Sequence, residues 1–169
     1  MVTAIIAACS TTVGPGPTPT VPGQAPGTSP VPTSWPGNTV TAIIALAAAD
    51  SSFAKLGSDL QTTIDNSDMA GLLQVSTDGL TFLKGAQQNI KYVQEYADTR
   101  ALGDALANGY QQMIDGLQQV HDSLAAGNPD GVTAGFQAFV AGSTTYGAVR
   151  ADLSDKAQQA VFMQRNFLR

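Results

Sequence analysis

Residues 100–127, RALGDALANGYQQMIDGLQQVHDSLAAG, decide the fold. Within them Leu102, Leu106, Tyr110, Met113, Leu117, Val120 and Leu124 recur at spacings of three and four, which draws one apolar stripe down a helix of roughly 28 residues. A similar stripe precedes it, through Leu73, Leu80, Leu83, Ile90 and Val93, with Ser76 and Gln87 filling two turns of that face. Another follows, through Val132, Phe136, Phe139, Tyr146, Val149, Leu153, Ala157 and Ala160 toward Phe167. The earliest periodic segment, residues 40–64, is Ala-rich at first and then carries Phe53, Leu56, Leu60 and Ile64.

Turn and capping residues separate these segments at Asp65-Asn66-Ser67-Asp68, Asp98-Thr99 and Gly127-Asn128-Pro129-Asp130. Gly127 suits the left-handed residue that closes a helix, and Pro129 the opening of the next. Three short turns imply an all-α, antiparallel up-down-up-down four-helix bundle over residues 39–169. Ser76-Thr77-Asp78-Gly79 is the point where the second helix could divide. Reflection across the turns brings Phe53, Leu80, Leu117 and the region of Phe139 into one layer. It also makes the fourth helix overrun the others, so that Phe162, Met163, Phe167 and Leu168 lack a partner within the bundle. Trp35 and Pro36 laid across Phe162 and Phe167 would cover them; a partner protein or a second copy would do the same.

Eight of the nine prolines lie between Pro15 and Pro36, and the first charged residue is Asp50. Residues 9–38 therefore read as an uncharged Pro/Thr/Gly-rich stalk, expected to be disordered and to reach no more than roughly 90 Å at about 3.1 Å per residue. Residues 2–8 are uncharged and mostly apolar, and lead into Ile6-Ala7-Ala8-Cys9-Ser10, the chain's one Cys after two small residues.

That stretch resembles the lipobox of bacterial lipoproteins. The resemblance implies that residues 1–8 are the remnant of a signal peptide, and that a diacylglycerol joins the Cys9 thiol before cleavage. The processed Cys9 would then carry more than one acyl chain of the palmitate class, which supplies two-chain anchoring in a membrane. It places the protein in the cell envelope, facing outside the cytoplasm. Ile6 stands where Leu is commoner. No Lys or Arg precedes Cys9, and the apolar run is eight residues counting Met1, short for a signal whose apolar region spans roughly 7 to 15 residues. Met1 is accordingly expected to be an internal residue or a miscalled start. No spanning helix is expected, since nowhere do about 20 predominantly apolar residues run together.

Composition narrows the chemistry. Of 169 residues only 12% are charged, the net charge is −5, and there is one Cys and one His. One Cys excludes an intrachain disulfide, and the pair Cys9 and His121 cannot by itself complete a zinc or iron site, so no metal or cofactor is expected. Eight scattered cations against thirteen carboxylates offer no stripe for phosphates, so nucleic acid is not an expected partner. His121 lies near the end of its helix, where an imidazolium can interact with the last carbonyls. Asp104 and Asp115 share a helix but stand three turns apart, no Gly-x-Ser-x-Gly elbow occurs, and the glycines form no phosphate loop. The expected function is binding rather than catalysis. The partners considered are the membrane through Cys9 and a protein or second copy at the helix overhang around Trp35, Phe162, Met163, Phe167 and Leu168. Alternatively, a ligand slot inside the bundle, framed by tyrosines among Tyr92, Tyr96, Tyr110 and Tyr146, would make it a small-molecule sensor or carrier.

Overall fold

A computed structural model describes residues 35–167, without the side chain of Phe167. The chain divides after Val31, and the described residues belong to the second unit, Pro32–Arg169. Cys9, the lipobox and the stalk as far as residue 34 lie outside the described residues, as does Leu168. All the elements described are helices: α1 Gly37–Ala48, α2 Asp50–Asp65, α3 Met69–Gln94, α4 Arg100–Ala125 and α5 Pro129–Phe167. Ala49 alone separates α1 from α2, so the helices make four arms.

The first arm departs from the sequence expectation in two ways. It begins at Gly37 rather than Val40, and it breaks at Ala49, which keeps right-handed angles but with ψ at −11°. No Pro or Gly marks the break. Packing changes there: the α1 backbone runs close to both α3 and α5, whereas the α2 backbone runs close to α3 and reaches α4 and α5 through the Phe53 and Asp50 side chains. By length and composition the whole arm, Gly37–Asp65, is apolar enough to cross a membrane, with a mean hydropathy of 1.4 in its best window. Ile43, Leu46, Phe53, Leu56 and Leu60 of this arm are buried in the helical core, and one third of its most apolar window is buried. α3 is unbroken through Ser76 and Gly79. Gly79 is there for closeness, because a Cβ would lie 2.8 Å from both Leu56 and Leu117 side chains.

Two of the turns share one chemistry. After α4, Gly127 takes φ +64°, and the N–H groups of Gly127 and Asn128 reach back to the carbonyls of Leu124 and Ser123 at 3.2 and 2.8 Å. This closes the last turn through a left-handed residue. Asn128 then accepts from Gly131 N–H at 3.1 Å, capping α5. After α2 the same arrangement is built with Ser67 at φ 54°, Ser67 and Asp68 donating to Ile64 and Thr63, and Asp68 accepting from Gly71 N–H at 2.9 Å.

The third turn depends on buried hydroxyls. The last four carbonyls of a helix lack partners within it, and in α3 each finds one. Glu95 N–H donates to Lys91 O at 3.0 Å, Thr39 Oγ1 to Tyr92 O at 2.9 Å, Thr99 Oγ1 to Val93 O at 2.7 Å and Arg100 Nε to Gln94 O at 3.1 Å. Thr39 and Thr99 are buried because their hydroxyls are needed inside.

The closest packing is between α4 and α5. A Cβ on Gly142 would lie 2.7 Å from Gly109 O, and one on Gly135 would lie 2.7 Å from Gly116 O, while Gly109 and Gly116 face the backbone at Tyr146 and Phe139. Partners therefore descend along α5 as they ascend along α4. Across α3 and α4, Gln87 donates to Gln111 at 3.0 Å and Gln94 to Asp104 at 2.9 Å. Leu117 and Leu56 meet at Gly79, and Phe139 lies against Gly116, so the layer expected to hold Phe53 holds Leu56 instead. Phe53 sits one turn away, stacked on Tyr146 at 4.6 Å between ring centroids and edge-on to Tyr110 at 5.2 Å and Phe82 at 5.5 Å. Small offsets at each turn accumulate when helices are levelled by reflection alone.

Glycine at closely packed and open helical positions should respond oppositely to alanine. Gly116→Ala, whose Cβ meets the α5 backbone, is expected to cost about 2 kcal/mol or more. Gly147→Ala, with open space around it, is expected to gain up to about 1 kcal/mol. Urea unfolding followed by circular dichroism measures both.

Candidate functional site

The described residues that sequence reading placed at the overhang do not form one exposed face. Trp35 is 5% exposed and Met163 3%, both within the core, and Lys156 Nζ lies 5.5 Å from the Trp35 ring centroid. Phe162 is 55% exposed. Trp35 and Met163 are thus core residues rather than surface ones. The α1 helix packs on α5 and Trp35, just ahead of it, lies near Lys156 of α5, while Phe162, expected to lie under Trp35, stays exposed.

His121 and its neighbour also differ from expectation. The His121 ring nitrogen Nδ1 lies 3.1 Å from Asp122 Oδ1, so the imidazole pairs with a carboxylate rather than with the last carbonyls of α4. That contact, followed by the amide of Gln118, holds the exposed Asp122 carboxyl below its usual range. Among the described residues no group of three His, Cys, Asp or Glu side chains is placed to hold a metal ion. Several carboxylates are engaged by glutamine. Gln61, Gln74, Gln111 and Gln118 each donate to the Asp four residues on, at 2.6 to 3.0 Å. Such pairs support a helix by about 0.2 to 0.5 kcal/mol each, so helix support accounts for several acids that capping does not.

Of the tyrosines expected to frame a slot, Tyr110 stands within the core. Tyr110 is fully buried, and its ring stands edge-on to Tyr146 at 6.0 Å as well as to Phe53. Its hydroxyl has no hydrogen-bond partner. Burial, followed by the nearby Tyr146 and Asp50, pushes the Tyr110 phenol well above its ordinary value.

Tyr146 leads instead to an open groove of about 600 Å³ between the first arm and α5. One end is polar. Asp50, in the first turn of α2, accepts from Tyr146 Oη at 3.1 Å through Oδ1 and from Arg150 through Oδ2. Burial, then Asp50, raises the Tyr146 phenol and keeps it protonated. The hydrogen bond that Arg150 donates to Asp50, then the charge of that carboxylate, raises the already high Arg150 pKa. From this end the walls become apolar, with Ile44 and Ala47 on α1 and Leu153, Ala157 and Val161 on α5, interrupted by Ser154 and Gln158. On α5 this is a stripe at helical spacing, reaching about 16 Å from Arg150 to Val161 at 1.5 Å per residue. A second depression, about 450 Å³, is lined by Gln118, Gln119, Asp122 and other residues of α4 and the turn after it. It has no opposing wall from another arm.

Sequence reasoning singled out Asp50 as the first charge and Tyr146 as a polar aromatic, but not Arg150, and it did not join them. Asp50 lies 96 and 100 residues from its two partners, and local spacing carries no trace of that contact. No protein-family model matches the chain, and no curated protein or solved structure matches it.

Removing each phenolic hydroxyl should have opposite effects. Tyr110→Phe deletes an unpartnered buried group and is expected to leave stability unchanged or raise it by up to about 1 kcal/mol, whereas Tyr146→Phe breaks a bond to a carboxylate and should cost about 1 to 2 kcal/mol. Thermal and urea unfolding distinguish the two.

The same hydroxyls set an alkaline limit. Both phenols titrate higher folded than unfolded, so the unfolded chain releases protons first and stability falls as pH rises above the ordinary tyrosine value of about 10. Wild type is expected to lose more stability between about pH 9 and pH 11 than the double variant Tyr110→Phe/Tyr146→Phe, measured by urea unfolding at each pH.

Proposed function

We propose that this chain is a lipid-anchored binding module of the bacterial envelope. Cys9, in its lipobox-like setting, carries the acyl anchor, and an antiparallel up-down-up-down bundle stands outside the cytoplasmic membrane. The opposed order of contacts along α4 and α5, and the Gln87–Gln111 and Gln94–Asp104 pairs between α3 and α4, support that topology.

The observation carrying the binding reading is the groove between the first arm and α5, with a polar end and apolar walls. Its volume falls in the range of about 300 to 1,000 Å³ typical of ligand sites. Binding suits it better than catalysis. Asp50 has both oxygens engaged and is charge-paired with Arg150, and Tyr146 is held protonated, so the polar end presents no free base or nucleophile. The exposed Phe162 favours a second reading, in which the end of α5 meets a protein partner or another copy of the chain.

Metabolic labelling of the full-length gene product with a radioactive fatty acid is expected to mark wild type and not Cys9→Ala; label that persists in the variant overturns the anchor. Nile red, a neutral apolar dye, is expected to bind the purified chain at one site. Ala157→Phe, which fills the groove, should abolish that binding with helix content unchanged. Undiminished dye binding in that variant places the site elsewhere.

A further inference from the structure

We infer that the groove accepts a single-chain amphiphile with a carboxylate head, the head held by Arg150 and an unbranched tail laid along α5. The inference rests on the groove being the binding site and adds the chemistry of its occupant.

The head follows from unused hydrogen-bonding capacity. Asp50 and Arg150 are the charged residues of the lining. The Asp50 side chain is 29% exposed and that of Arg150 61%, so an entering molecule meets the guanidinium before the carboxylate. Each Asp50 oxygen already accepts one bond, from Tyr146 or from Arg150. A guanidinium has five N–H donors in a planar fork, and the contact with Asp50 is through one terminal nitrogen. The remaining donors suit an acceptor-rich planar anion, which an Arg fork can bind through two parallel bonds. A cationic head would face the guanidinium with like charge, and an alcohol would use only part of the fork.

The tail follows from the walls. Beyond Arg150 the lining on α5 is Leu153, Ala157 and Val161, with Ser154 and Gln158 between them, faced by Ile44 and Ala47 on α1. The alanines leave the space that makes the groove, and the long, narrow stripe favours a straight chain over a bulky ring system. Covering methylenes from water is favourable, so affinity should rise with chain length until the tail passes Val161.

The test is competition for Nile red on the purified full chain by dodecanoate, dodecanol and dodecyltrimethylammonium, each below its micelle concentration. Dodecanoate is expected to displace the dye about tenfold more effectively than dodecanol, octanoate to be weaker than dodecanoate, and the cationic analogue weakest. Arg150→Gln should erase the preference of dodecanoate over dodecanol, and Arg150→Lys should restore part of it. If dodecanol or the cationic analogue competes as well as dodecanoate in wild type, the assigned head is wrong while the groove stands. If the dye binds and no single-chain amphiphile displaces it, the tail is wrong as well. If neither dye nor amphiphile binds, the groove reading itself fails. Binding seen only to vesicles of phosphatidylglycerol overturns a free carboxylate ligand in favour of a membrane surface.

Discussion

The contact between α4 and α5 is the constraint on which the rest of the molecule depends. Gly109 with Gly142, and Gly116 with Gly135, place backbone against backbone across the two helices. Each glycine weakens its own helix by about 1 kcal/mol relative to alanine. In return, close approach gains dispersion contacts that any Cβ would prevent. It also sets one register, because the pairs fit at one longitudinal offset. The Tyr146 backbone lies directly against Gly109, and its ring packs on Phe53 and edge-on to Tyr110. The hydroxyl of that ring reaches Asp50. The polar end of the groove is thus a consequence of where two backbones meet.

The first arm completes the site by changing partners. α1 packs on α5 as well as α3, and past Ala49 the arm continues against α3. Asp50 stands at that change, tied to α5 by Tyr146 and Arg150. The groove lies alongside α1, where the two arms remain together, and its polar end lies where their packing changes. A break without Pro or Gly is therefore accompanied by a specific long-range polar contact.

Scarcity of charge gives these few polar contacts their weight. At Asp65, Asp78, Asp115 and Asp122 the carboxylate accepts from a glutamine amide one helical turn away. An amide donor adds no cation, so acidic residues keep helix support while the surface stays poor in positive charge. Arg150 in the groove is one of only eight Lys and Arg residues in the chain, which makes its guanidinium a distinctive feature on a surface of acids, amides and hydroxyls. Threonine serves the interior in a similar way, with Thr39 and Thr99 meeting the end of α3 through hydroxyls rather than charges.

Sequence alone determined the features that arise from residues close in the chain. The stripe from Leu102 to Leu124 specified α4, Gly127 supplied a left-handed closure, and Asp68 and Asn128 marked helix starts, because periodicity and capping act within a few residues. Ser67 was legible as a turn residue but not as the left-handed counterpart of Gly127, since its conformation is not favoured by its side chain. Only tertiary structure decided whether Gly79 would break a helix or admit Leu56 and Leu117, that Trp35 and Met163 are buried, and that Asp50, Tyr146 and Arg150 share a site. Those outcomes depend on the relative offset and separation of helices. Offset is set by the fit of whole faces against one another, glycine against backbone and ring against ring, and the spacing of residues along any one helix does not contain it.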